Sequence, residues 1–143
     1  LAIDLGDDGV DANDDDSVGS AGLRPNRGLN APDRLIAQET VSGTSVVQGR
    51  LQSTAGDYTV DVYASPSCDL SGRGEGQLLV ASGNFSLVGS SQQTLFWQVN
   101  FSSAQTLAGQ FITATARDSY WNTSEFSECA PYQSLLLFRD SFE

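Results

Sequence analysis

The sequence predicts an all-β domain, and three observations lead to that prediction. The chain has 143 residues, which is the size of one domain with its own core. Several stretches after residue 43 alternate apolar and polar side chains with the two-residue period of half-buried strands, and none has a helical period. Turn-forming residues separate these stretches at intervals of about 8–12 residues. We therefore expect a two-sheet Greek-key β-sandwich of seven to eight strands.

The alternation assigns the strands in order along the chain. In residues 57–66, for example, Tyr58, Val60 and Val62 lie on one face, and Thr59 and Asp61 lie on the other. The predicted strands are 44–54, 57–66, two short strands around a Ser-Gly turn within 76–91, then 93–102, 109–118, a strand near 126–130 and an apolar run at 135–138. The expected architecture is immunoglobulin-like, with residues 34–133 as the sandwich and residues 134–143 as a C-terminal strand or tail.

Residues 1–33 differ in composition from the rest of the chain. They are rich in Asp, Gly, Asn and Pro and are predicted to be an extended acidic segment. Seven of the 18 acidic residues fall within the first sixteen positions, and the net charge of the whole chain is −11. Nucleic acid is therefore disfavoured as a partner, because phosphate neutralisation requires a basic surface. Membrane insertion is not expected, since no apolar run approaches the length of a membrane span.

Catalysis is not expected either. The sequence contains no His and no Lys, which removes the commonest general base and any Schiff-base chemistry. Its paired carboxylates lack the facing cleft that glycosidases use. We therefore expect a protein that is not an enzyme and that requires no cofactor.

Cys68 and Cys129 are the only cysteines, and they lie too far apart in sequence for a Cys-x-x-Cys metal or redox motif. Two buried free thiols would fit a cytosolic protein, whereas a disulfide would fit a secreted one. The Gly-, Ser- and Thr-rich composition favours the disulfide and an extracellular location.

The acidic segment contains a candidate Ca²⁺ site. Asp11, Asn13 and Asp15 place oxygen ligands at alternate positions, and Asp7 extends the series. A regular EF-hand is excluded, because its glycine and terminal glutamate are missing. The alternative is a solvated acidic linker that stays extended through self-repulsion.

The apolar ends of the chain are candidates for strand addition. Leu1, Ile3 and Leu5 alternate with polar or small residues, and Leu135 and Leu137 belong to the apolar run near the other end. Such a segment can add to an open sheet edge of a neighbouring subunit, which would produce a fibre. The alternative is that each segment pairs within its own domain.

Two aromatic residues are candidates for a contact surface. Tyr120 and Trp121 lie in the polar stretch SYWNTSEF, which predicts that they are exposed. In a binding protein these side chains would contact a glycan or a host surface.

Several stretches resemble a known family. IDLGDDGV with its following Asp/Asn run resembles the segment that closes the right-handed β-helix of bacterial CSLREA-type secreted surface proteins. PSCDLSGRGEGQ, AGQFITATARD and NTSEFSECA resemble the immunoglobulin-like module that follows that helix, with both cysteines in matching places. The resemblance implies a non-catalytic extracellular domain of a bacterial cell surface.

Two functional expectations follow. The first is a structural protein, a cell-surface or filament subunit that self-associates with identical subunits by strand addition. The alternative is a Ca²⁺-supported adhesion or glycan-binding module of a larger secreted protein.

Overall fold

A computed structural model describes residues 3–5, 9–10, 12–14, 25–103 and 106–135 of the chain. A 3₁₀ turn at Pro25–Gly28 precedes the strands. The strands are β1 (Asp33–Glu39), β2 (Ser45–Ser53), β3 (Gly56–Ser65), β4 (Leu78–Leu87), β5 (Gln93–Phe101), β6 (Phe111–Asp118) and β7 (Ala130–Gln133). The expectation of an all-β fold with seven strands or more is therefore confirmed for the described residues.

The seven strands form one mixed sheet in the order β4-β3-β6-β7-β1-β2-β5. Strand β7 joins the two halves, since it pairs antiparallel with β6 and parallel with β1. The other neighbouring strands are antiparallel. The two terminal strands of this order also approach each other, because the rings of Phe85 in β4 and Trp97 in β5 lie 6.4 Å apart.

All seven strands contribute side chains to one buried core. The face of β3 that carries Val60 is buried, and Leu51 in β2 and Trp97 in β5 are buried as well, each of the three being at most 2% exposed. Strand β6 is buried on both faces along Ile112–Ala116, so its alternation does not separate core from surface.

One prediction about the region of β4 is wrong. The Ser-Gly pair within 76–91 is not a turn, because Ser82 and Gly83 lie in the middle of one continuous strand that pairs with β3 from end to end. A Cβ at position 83 would lie 2.9 Å from Val99 Cγ2. Glycine therefore permits the close approach of β4 to β5, which is a known reason for glycine inside a strand.

The predicted strand near 126–130 is also placed differently. Residues 124–127 are irregular and return along β6, where the Ser124 and Ser127 hydroxyls accept hydrogen bonds from the Ala116 and Ala114 N–H groups. The strand itself begins at Ala130. Side-chain hydroxyls thus replace part of the backbone ladder, which a search for alternating apolar residues does not detect.

Described parts of the acidic segment lie against the sheet. Asn13 forms two hydrogen bonds with the backbone of Ala31, and Asn30 forms two with the backbone of Asp14. The Asn30 amide also donates to the Gln52 carbonyl at 2.9 Å. Asparagine side chains therefore fix this segment to the start of β1 and the end of β2.

Candidate functional site

The turn that follows β6 is organised by one carboxylate. We call residues 118–122 the aromatic turn. The Asp118 Oδ1 atom accepts hydrogen bonds from the backbone N–H groups of Tyr120 and Asn122, both at 2.9 Å, and Oδ2 accepts one from the Asn122 amide at 2.8 Å. The backbone adds two more bonds, from Trp121 N to Asp118 O and from Asp118 N to Asn122 O. This bonding pattern gives the short segment a defined conformation.

The turn holds a tryptophan in a left-handed conformation. Trp121 has φ = 67°, and its side chain is 77% exposed. The left-handed region costs an L-residue roughly 1–2 kcal/mol. Because the indole ring is exposed, burial of the ring does not offset this cost. Backbone strain that the surroundings maintain in this way is concentrated at ligand-contact sites.

The Trp121 ring is supported from the sheet by an ion pair. Its centroid lies 5.4 Å from Arg117 Cζ, a cation–π geometry. Arg117 Nε donates to Asp61 Oδ2 at 2.7 Å, and this hydrogen bond raises the pKa of Arg117. Asp61 is 6% exposed and also accepts a hydrogen bond from the Ser82 hydroxyl at 2.6 Å. The guanidinium below the ring therefore has little freedom to move.

A pocket of about 420 Å³ adjoins the aromatic turn. Tyr120 forms part of its wall and is itself 75% exposed. Tyr58 contributes a fixed ring, because its hydroxyl donates to the Thr54 carbonyl at 2.7 Å and accepts a hydrogen bond from Ser53. Asp57 and Asp118 also line the pocket. The Asp118 carboxylate accepts the hydrogen bonds of the turn, and Asp57 Oδ1 accepts one from the Ser86 hydroxyl at 2.6 Å. The pocket thus combines aromatic surface with polar residues, as small-molecule sites do.

The predicted contact residues are therefore adjacent and exposed in the structure. Asp118, which organises the turn, and Arg117 and Asp61, which support the ring, were not predicted from the sequence. The spacing of Asp118 from the N–H groups two and four residues later is a signal that an Asx-turn search could have found. The contact between Asp61 and Arg117 depends on the pairing of β3 with β6 and has no local signal.

The disulfide lies at the opposite end of β3 from the aromatic turn. Cys68 and Cys129 are bonded, with their Cα atoms 6.1 Å apart, as predicted. Tyr58 at the start of β3 pairs with Asp118, whereas Ser65 at its end precedes the loop that contains Cys68. The disulfide therefore closes the loop between β3 and β4 onto the segment before β7, away from the candidate site.

The loop between β3 and β4 also contains an acidic group with a shifted pKa. Hydrogen bonds from the Ser71 side chain and backbone lower the pKa of Asp69 to about 2. The Ser71 N–H lies 2.9 Å from Asp69 Oδ1.

Of the predicted Ca²⁺ ligands, the structure describes Asn13. Its amide oxygen accepts a hydrogen bond from Ala31 N at 2.9 Å, and its amide nitrogen donates to Ala31 O. Asp7, Asp11 and Asp15 lie outside the described residues. Within the described part of the chain, no group of three or more acidic or cysteine side chains could hold a metal ion. The Ca²⁺ site stays a prediction.

Of the predicted assembly residues, Ile3, Leu5 and Leu135 are described. Ile3 and Leu5 are half-buried and lie outside the seven strands, and Leu5 N donates to the Glu125 carboxylate at 2.9 Å. Leu135 N donates to Glu39 Oε2 at 2.9 Å. Leu1 and Leu137 lie outside the described residues. The described parts of both ends therefore contact their own chain.

Comparison with known families and curated proteins does not assign this chain to a family. No protein-family model and no curated protein matches the sequence. Among the described residues there is no helix long and apolar enough to cross a membrane.

Proposed function

We propose that this protein is a non-catalytic extracellular binding module whose aromatic turn contacts a glycan. The observation that carries the proposal is Trp121, an indole that is 77% exposed and held at φ = 67°. A tyrosine that is 75% exposed lies beside it. A glycan offers both the C–H faces that pack on aromatic rings and the hydroxyl groups that donate to carboxylates.

The support beneath the ring favours binding over simple solvent exposure. Arg117 is ordered by the Asp61 carboxylate before any ligand arrives, and Asp118 fixes the backbone on either side of the indole. A preorganised ring loses little conformational entropy when a ligand binds. The pocket beside Tyr120 then provides space for a second sugar unit, next to the unit that packs on the Trp121 ring.

The fold that presents this turn is, in this proposal, an immunoglobulin-like Greek-key sandwich. The strand order supports it, since β4-β3-β6-β7 and β7-β1-β2-β5 would be the two layers and β7 would change between them. The approach of Phe85 to Trp97 across the core also supports it. A disulfide is compatible with an oxidising compartment, and this supports the extracellular assignment.

A panel of neutral oligosaccharides tests the proposal. We would titrate cellotriose, maltotriose, mannotriose and diacetylchitobiose into ¹⁵N-labelled protein and follow the indole N–H signals by NMR. We expect at least one to shift the Trp121 signal while the signal of buried Trp97 stays in place. Trp121→Ala should abolish that binding, and the matched control Trp121→Tyr should retain part of it. Absence of a Trp121 shift with every sugar, or unchanged affinity in Trp121→Ala, would overturn the proposal.

A second candidate function is a filament subunit that assembles by strand addition between chains. The observation that favours it is that β4 and β5 end the strand order, so each has one hydrogen-bonded neighbour among the described strands. Leu79 on β4 is 55% exposed. An edge strand of this kind is a template for a strand from another chain.

Removal of residues 1–6 tests the second candidate. Light scattering and negative-stain imaging would compare the shortened and full chains, with far-UV circular dichroism as the control for folding. Loss of oligomers from a folded protein would support strand addition. A full chain that is monomeric, or an assembly unchanged by the deletion, would exclude this end as the donor.

A further inference from the structure

We propose that the outer face of β1, β2 and β5 carries a second site, for a saccharide that bears a carboxylate group. This site is separate from the aromatic turn and does not depend on it. It is a groove of about 340 Å³, within the range of about 300–1,000 Å³ that small-molecule sites occupy.

The pairing of three strands places its side chains in two rows. Ile36 lies opposite Gln48, which lies opposite Gln98. In the next row, Arg50 lies between Asp33 and Phe96. Because residues two apart on a strand project from the same face, both rows share the surface that points away from the core. The groove is lined by Arg34, Ile36, Gln48, Gly49, Arg50, Phe96, Trp97 and Gln98.

An exposed ring forms the apolar part of the groove. Phe96 is 76% exposed and Ile36 is 45% exposed, although the outer face of an antiparallel sheet is ordinarily polar. A phenyl ring on a sheet is a flat surface on which the C–H face of a sugar can pack. The amides of Gln48 and Gln98 lie beside it and provide donors and acceptors for hydroxyl groups.

The charge of the groove is opposite to that of the chain. Its eight lining residues include two arginines and no acidic residue, whereas the chain has a net charge of −11. Arg50 is held by Asp33, with Nε and one terminal nitrogen at 2.9 and 2.6 Å from the two carboxylate oxygens. The Arg34 residue is exposed, and its side chain has no hydrogen bond or ion pair within the part of the chain that the structure describes.

The backbone directs Arg34 toward the groove. The register of β1 with β2 shifts between Asp33 and Ile36, and Arg34 has φ = 54°. Such irregularities re-aim a side chain and are common beside functional sites. A guanidinium prefers a carboxylate, which it can bind through two parallel hydrogen bonds. The ring, the amides and the unpaired cation together therefore indicate an acidic sugar.

Trigalacturonate and neutral maltotriose are the probes for the test. We would titrate each into ¹⁵N-labelled protein and follow the backbone signals of Phe96 and Gln98. Trigalacturonate should shift these signals and bind more tightly than maltotriose. Arg34→Gln should weaken trigalacturonate binding at least tenfold, because a neutral amide replaces the charged pair of parallel hydrogen bonds. Phe96→Ser should abolish the binding.

Two separate NMR signals distinguish this proposal from the one on the aromatic turn. The backbone signals of Phe96 and Gln98 report the groove, and the indole N–H signal of Trp121 reports the aromatic turn, so either site can fail alone. Circular dichroism would establish that Arg34→Gln and Phe96→Ser are folded, and both side chains are exposed. Equal affinities for the two sugars when measured at Phe96 and Gln98, an unchanged affinity there in Arg34→Gln, or no shift at Phe96 would overturn the proposal. Concentration-dependent shifts at Phe96 without sugar would do the same, since a second copy would then occupy the groove.

Discussion

The left-handed conformation of Trp121 makes a prediction about two substitutions at one position. Trp121→Ala and Trp121→Gly both remove the indole and its contact with Arg117, so those losses are equal in the two variants. Only alanine retains a Cβ at φ = 67°, and the left-handed region then costs it roughly 1–2 kcal/mol. Glycine avoids that cost but loses about 0.5–1 kcal/mol more backbone entropy on folding. We therefore expect the glycine variant to be the more stable by about 0.5–1 kcal/mol.

Ser119 in the same turn is the matched control. It is exposed and is not among the residues with positive φ. Here glycine brings only the entropy cost, so Ser119→Ala should be more stable than Ser119→Gly by about 0.5–1 kcal/mol. The expected order of the two substitutions is thus opposite at positions 119 and 121.

Urea unfolding with the disulfide intact measures both pairs. Far-UV circular dichroism and the fluorescence of buried Trp97 would report the transition, and their coincidence would establish two-state behaviour. If alanine at position 121 were as stable as glycine, the turn could not hold that residue in the left-handed region. The argument that the protein maintains strain there for ligand contact would then be wrong.

Three further predictions concern the frame around the sites. Asp61→Asn should lower the free energy of unfolding by about 2–3 kcal/mol. This is less than the loss for a fully buried ion pair, because the Arg117 side chain is 30% exposed. Urea unfolding measures the loss, and a loss no larger than that of the exposed-site control Asp57→Asn would contradict the prediction. The cysteines of the disulfide are 61 residues apart, and in the chain-entropy model its reduction should lower the free energy of unfolding by about 4 kcal/mol. Equal unfolding midpoints with and without reductant would argue against a constraint on the unfolded chain. Hydrogen bonds from Ser71 lower the pKa of Asp69 to about 2. The stabilising effect of the Asp69 carboxylate is therefore complete above about pH 4 and disappears as the pH falls through about 2. A carboxyl NMR titration with a midpoint at the ordinary aspartate value of 3.8 would refute this.

Much of the sheet could be predicted from local alternation, and the exceptions have physical causes. Strands β2 and β5 bury mainly one face, so their period is visible in the sequence, and β3 keeps the same alternation although Asp61 on its other face is also buried. The turn predicted at Gly83 is wrong, because glycine there leaves room for the side chain of Phe85 in the same strand and for that of Val99, 16 residues further along the chain. Residues 124–127 run back along β6 and bond to it through serine hydroxyls, and serines in a sequence are typical of a loop.

The candidate sites differ in how far the sequence could reveal them. Tyr120 and Trp121 are predicted to be exposed by their polar neighbours, and their exposure is a local property. The groove on the outer face depends on the register of three strands, which brings Arg50 opposite Phe96 from 46 positions away. No pattern within a single strand contains that information. The register shift that directs Arg34 is likewise a property of the pairing of β1 with β2.

The parallel pairing of β1 with β7 has a mechanical consequence. Tension applied through the chain on either side of these two strands would load them in shear, since the force enters at the start of β1 and leaves at the end of β7. The disulfide meanwhile takes up the load between Cys68 and Cys129. About 200 Å of contour length is thereby withheld from extension while that bond is intact. The strands β4, β5 and β6 lie within the withheld stretch, so a pulled domain would keep the aromatic turn inside an inextensible loop.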